Sequence, residues 1–258
     1  MDGTLLTSQH TISPATLEVL LTLSERGILI GFASGRGYQS VQRLIKNFPI
    51  HLPMTVFNGS IVYEARTGEI LLHLDLDQKI VEELIARTRG TSLHIHVTTE
   101  TQVFLDIEDA PHYKKVDPFT YVDCKPLETL SQADYPVIKA MITGKETETA
   151  GRILLDELQK DYPGMFTAVS TFKDHIEIVN PKANKRAGVE MVASMYNIEL
   201  DEIIAFGDAE NDCEMLRAVG WGVAMANASE MLKGCADDIT KSNDEDGIAH
   251  YLTALFDL

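Results

Sequence analysis

The stretch Ile203-Ile204-Ala205-Phe206-Gly207-Asp208-Ala209-Glu210-Asn211-Asp212 constrains the fold more than any other part of the chain. Four apolar residues run into a Gly-Asp turn and then into Cys213-Glu214-Met215-Leu216-Arg217-Ala218, which predicts a buried parallel strand, a tight turn and a helix start. The turn carries three acids within five residues. Acids crowded at the carboxyl end of a buried strand repel one another unless a cation sits among them, and that end is where open α/β sheets bind ligands. A hard, oxygen-liking ion such as Mg²⁺ fits the donor set. The competing reading is that Asp208 caps a helix while the other acids are solvated.

The length of 258 residues allows one large domain or two unequal ones. With 45% apolar and 24% charged residues, the composition is that of an ordinary globular protein. A net charge of −17, with no Lys/Arg cluster to offset it, excludes nucleic acid and anionic membrane surfaces as expected partners. The three cysteines, Cys124, Cys213 and Cys235, form no CxxC pair, so the sequence suggests neither a disulfide framework nor a structural zinc site. A cytoplasmic protein with no signal peptide and no membrane span is the expectation.

Read in order, the chain opens on the acidic turn Asp2-Gly3-Thr4. Ser13-Pro14 then starts an amphipathic helix to Arg26, and Ile28 to Ala33 reads as an apolar strand. Ser34-Gly35-Arg36-Gly37 ends that strand in a turn whose backbone N–H groups and Ser34 hydroxyl could face an anion, before a helix over 38–48. A plain turn is the alternative. Thr55–Phe57, Asn58-Gly59, Ile61–Tyr63 and Glu69–His73 give a strand and hairpin material.

Near Asp77 the texture changes. Alternating strands with two helices predict an α+β module inserted at 76–180, while 1–75 and 181–258 form a doubly wound, mostly parallel α/β core. His94 and His96 share one strand face and are read as packed or surface residues, because no third metal ligand is identifiable. After Lys182 the βα pattern resumes with a helix carrying Lys185 in its first turn.

Asp2-Gly3-Thr4-Leu5-Leu6, Ser34-Gly35-Arg36, Asn184-Lys185 and Gly207-Asp208-Ala209-Glu210-Asn211-Asp212 together resemble the haloacid dehalogenase superfamily. Phe57-Asn58-Gly59, Gly222 to Ala228, and Thr240-Lys241-Ser242-Asn243 with Asp246-Gly247-Ile248-Ala249 resemble its Cof-type phosphatases, which carry a large inserted cap. The resemblance implies a Rossmann-like core and a Mg²⁺-dependent phosphatase acting on a small phosphorylated metabolite. Asp208 and Asp212 would serve the metal, together with Asp2, whose side chain would be the general acid and base. Ser34, Gly35 and Lys185 would meet the phosphoryl group, and Thr4 and Asn211 would position it. A monomer or weak homodimer is expected.

The family's first motif reads Asp-x-Asp-Gly-Thr, with the first Asp as nucleophile. Met1 stands at x. The expectation is therefore that the nucleophilic Asp and the strand leading to it lie upstream of Met1, and that residues 1–258 alone are strongly impaired. The alternatives are a catalytically inactive relative that binds a phosphorylated ligand or partner, and a sugar-phosphate mutase.

Overall fold

Local chemistry starts the helices where the sequence predicts. The Ser13 hydroxyl accepts from Thr16 N–H at 3.1 Å, and Pro14 at the next position has no N–H to leave unpaired, so α1 spans Pro14–Glu25. The structure is a computed structural model that describes residues 1–45, 48, 50–106, 123–133, 136–172 and 175–258. These divide into two compact units, Met1–Leu72 with Asn184–Leu258, and His73–Ala183.

In the first unit, α2 (Tyr38–Leu44) precedes three strands, β1 (Met54–Val56), β2 (Ile61–Tyr63) and β3 (Ile70–His73), paired in that order. The strand expected over 28–33 is reduced to one parallel bridge, Ala33 to Thr55, in which Thr55 N–H donates to Phe32 O and Ser34 N–H to Thr55 O, each at 2.9 Å. Leu29 is 46% exposed. Among the described residues this segment is bonded on one side only, and an apolar strand stays regular and buried when it has neighbours on both.

After the second unit, α5 (Lys185–Tyr196) leads to β10 (Ile204–Gly207), α6 (Cys213–Ala218), β11 (Trp221–Ala224), α7 (Glu230–Lys233), β12 (Asp238–Ile239) and α8 (Gly247–Phe256). β10, β11 and β12 are parallel and adjacent in that order, with Gly207 opposite Ala224. Their carboxyl ends therefore lie side by side.

One expectation is overturned here. Cys213, the first residue of α6, is joined to Cys235, just beyond α7, by a disulfide with Cα atoms 5.4 Å apart. Sequence spacing does not reveal that the start of one helix and the end of another meet in one apolar cluster with Met215, Leu216, Ala224 and Leu232.

In the second unit, β4 (His94–Thr98), β5 (Gln102–Leu105), β6 (Asp123–Pro126), β7 (Lys139–Thr143), β8 (Thr167–Phe172) and β9 (His175–Val179) form a six-stranded sheet in the order β6-β5-β4-β7-β9-β8. All pairs are antiparallel except β5 with β6. One face, with Ile95, Val97, Phe104, Ile142, Ile176 and Ile178, packs with α3 (Gln78–Thr88) and α4 (Arg152–Asp161) in a single apolar cluster. β6 is followed by a 3-10 turn over Leu127–Gln132, and residues 107–122 and 134–135 of the insert lie outside the described residues. His96 is fully buried on the opposite face. Among the described residues no group of three or more His, Cys, Asp or Glu side chains could hold a metal, and no helix is long and apolar enough to cross a membrane.

Candidate active site

The carboxyl ends of the three parallel strands converge on the first residues of the chain. Asp2 to Leu6 form a tight turn closed on the Met1 carbonyl, which accepts from Leu5 and Leu6 N–H at 3.0 Å. Beyond β10, Asp208 Oδ1 accepts the Thr4 hydroxyl. Beyond β11, Asn227 Nδ2 donates to Gly3 O at 2.8 Å, and beyond β12, Asn243 Nδ2 donates to Leu6 O at 2.8 Å. Gly3 adopts φ +68°, and a Cβ there would overlap the Asp208 carboxylate. Only glycine lets the turn approach this closely.

Asp212 is the buried anchor. Its Oδ2 accepts from Asp208 and Ala209 N–H at 3.1 Å each, which folds the acidic turn back on itself. Its Oδ1 accepts from Lys185 Nζ at 2.6 Å, and both side chains are almost wholly buried. Lys185 is delivered by Asn184, whose side chain accepts from Ala187 N–H at 2.7 Å as the N-cap of α5. Lys185 Nζ also donates to Asn211 Oδ1 at 3.4 Å.

The Ser34 turn is tied to this cluster through Asn58. Asn58 N–H donates to Ser34 O at 2.9 Å, and Asn58 Oδ1 accepts from Asn211 Nδ2 at 2.9 Å. Ser34 is buried, and its Oγ accepts from Arg36 N–H at 3.1 Å. The structure thus brings together Thr4, Ser34, Gly35, Lys185, Asp208, Asn211 and Asp212.

Asp2 is placed differently. Its carboxylate is forked by Arg36, with Nε to Oδ2 at 2.6 Å and a second bond from the other guanidinium arm, and His10 Nδ1 lies 3.3 Å from Oδ1. About half of its side chain is exposed, with a relative accessibility of 47%.

Electrostatics separate the three carboxyls. Burial pushes Asp208 above the usual range and the like charge of Asp212 adds to this, against the opposing Thr4 hydrogen bond. For Asp212 burial also works upward, but Lys185 and the backbone donors outweigh it and hold the group low. Asp2 is likewise pushed up by burial, yet Arg36 prevails and keeps it below the usual range, ionised and able to accept a proton. A partly buried carboxylate that makes no ion pair of its own among the described residues, beside a second one, is a donor set that suits a hard divalent ion.

Residues 1–252 match the model of the haloacid dehalogenase-like hydrolases. The chain belongs to this family. This haloacid dehalogenase-like hydrolase is 27% identical over 272 residues to a 5-amino-6-(5-phospho-D-ribitylamino)uracil phosphatase of Bacillus subtilis, covering 100% of the chain and 96% of that relative. It is 31% identical to an HMP-PP phosphatase of Yersinia enterocolitica, covering 98% and 92%. The crystal structure of a haloacid dehalogenase-like hydrolase from Bacteroides thetaiotaomicron superposes with a TM-score of 0.87 at 26% identity, over 99% of this chain and 97% of that one. The α/β fold and the family read from the motifs both stand, and the protein is a phosphomonoester hydrolase of this type.

Sequence reasoning gave no role to Arg36, Asn58, Asn227 or Asn243. Each lay inside or beside a motif stretch, but its partner, 34 residues away for Arg36 and 153 for Asn58, becomes visible only in three dimensions.

Proposed function

We propose that the protein is a Mg²⁺-dependent phosphatase of small phosphorylated metabolites, a class that includes sugar phosphates, nucleotides and phosphorylated cofactors. The observation that carries this reading is the buried Lys185, held between Asp212 and Asn211 and joined through Asn58 to the Ser34 turn. The relatives named as phosphatases of phosphorylated small molecules support the substrate class.

Asp208 and Asp212, with the Asp2 backbone carbonyl, would hold the ion, whose charge would offset that of the phosphoryl oxygens. Asp212 already spends both oxygens on Lys185 and the turn, so Asp208 offers the freer carboxylate. The Ser34 hydroxyl and the N–H groups of its turn would donate to the phosphoryl oxygens, and the Lys185 ammonium would act as a point charge beside them. Asp2 would protonate the leaving oxygen and then take a proton from the attacking water. Release from the Arg36 fork would let its carboxyl serve as the acid.

The nucleophile in this reading is an Asp joined to Met1 on its upstream side, forming an aspartyl-phosphate. Two observations support it. The turn that Met1 opens is bonded into the cluster, Thr4 to Asp208 and Gly3 to Asn227, so a residue joined to Met1 begins beside it. Among the described residues β10 is paired on one side only, which leaves room for one more strand.

The test is a screen of phosphorylated metabolites with Mg²⁺, run on residues 1–258 and on a chain extended upstream to include that Asp. The extended chain is expected to turn over substrate, to stop in excess chelator, and to exceed the shorter chain by several orders of magnitude. Turnover unaffected by chelator removes the metal from the mechanism. Equal turnover by both chains removes the upstream nucleophile.

A further inference from the structure

We propose that Asn58 is a positioning residue: it fixes the orientation of the Asn211 amide and, through it, the Lys185 ammonium. The proposal rests on the phosphatase reading above and adds a residue to which no role is assigned there.

The backbone around Asn58 is unusual. Asn58 lies at φ 55°, ψ 30°, and Phe57 before it at φ 49°. Two successive non-glycine residues in the left-handed region persist only where the surroundings hold them. Phe57 is buried, and its N–H donates to Arg36 O at 3.1 Å. Asn58 N–H donates to Ser34 O at 2.9 Å. The turn is thereby locked to the Ser34-Gly35-Arg36 segment from both sides. A Cβ on Gly35 would come within 2.9 Å of Asn58 Oδ1, so the Asn58 amide packs directly on the anion-binding turn.

The side chain then reaches the acidic turn. Asn58 Oδ1 is an acceptor, so Asn211 must present Nδ2 to it, at 2.9 Å. That choice leaves Asn211 Oδ1 facing Lys185 Nζ at 3.4 Å, while Asp212 Oδ1 takes a second ammonium proton at 2.6 Å. Loss of the Asn58 oxygen removes the hydrogen bond that holds the Asn211 amide in this orientation and lets the amide turn over. Its NH₂ would then face the ammonium, donor against donor. Asn58 therefore sets the polarity of a short relay from the Ser34 turn to Lys185.

The variant that tests this role is Asn58→Gly, which keeps the left-handed backbone accessible and removes the side-chain amide with its acceptor. In the chain extended upstream, Asn58→Gly and Asn211→Ala are each expected to lower kcat about tenfold with KM changed less than about threefold, and the double variant to be no worse than the poorer single one. A purely structural role would multiply the two losses instead. A second readout needs no turnover: mass-spectrometric acylation of Lys185 by acetic anhydride is expected to run several-fold faster in Asn58→Gly than in the parent. Multiplying losses, or Lys185 acylation at the parental rate, would overturn the relay. An upstream-extended parent inactive on every phosphomonoester would sink the phosphatase reading instead, with the acylation rate still deciding the role of Asn58.

Discussion

The two units finish their sheets to different degrees. In His73–Ala183 the strand residues Val97, Ala140, Ile142 and Ile178 are fully buried against two helices, and one apolar cluster gathers residues from nearly every element. In the unit that carries the proposed site, Ile204, Ala205 and Phe206 of β10 are only partly buried, and the segment before Ser34 has a single bridge. Both units bury an apolar core, and the site-bearing unit adds to it a set of buried polar links around Asp212.

Four substitutions sharpen or break that contrast. The largest effect is expected from Lys185→Met, which leaves the Asp212 carboxylate buried without its partner, at about 3–5 kcal/mol. Chemical denaturation should show the loss, and hydrogen exchange should place it in Met1–Leu72 and Asn184–Leu258, with amides of 73–183 unchanged. A rise in exchange through both units would mean that they unfold as one.

Leu158→Ala tests the other side. Leu158 is fully buried in the insert's apolar cluster, and truncation there should cost about 3 kcal/mol through lost burial and the cavity left behind. The same exchange measurement should now report on 73–183. Protection lost equally in the site-bearing unit would erase the distinction.

The smallest effect compares two caps of the same chemistry. Asp77 accepts from Lys79 N–H at 2.8 Å at the start of α3, and Asn184 accepts from Ala187 N–H at 2.7 Å at the start of α5. Alanine at either position should cost about 1 kcal/mol by thermal melting. Only Asn184→Ala should also lower phosphatase turnover, because the next residue is Lys185. Equal turnover in the two variants would detach the cap from the site.

Much of this was legible in the chain itself. The Asp208–Asp212 turn and the Ser13-Pro14 start are local patterns, and backbone hydrogen-bonding needs give them one solution each. What escaped was tertiary. β6 was missed because Asp123-Cys124-Lys125-Pro126 has neither strand periodicity nor a proline-free backbone, and such a strand is tolerated because it sits at the sheet edge. The 28–33 run is apolar enough for a strand, but regularity depends on neighbours that a single segment does not contain. The Asp2–Arg36 fork and the Asn58–Asn211 bond join motifs that were read separately, and nothing in either partner alone names the other.

The bond between Cys213 and Cys235 makes a closed ring of the segment that begins right after Asp212 and contains β11 and Asn227. A peptide bond cut inside that ring, after Arg217 for example, does not divide the molecule. The two pieces remain one covalent body, with Asp212 on one side and Asn227 still tethered to it, until a reductant opens the sulfur bridge. A nicked protein would therefore run as a single band without reductant and as two with it.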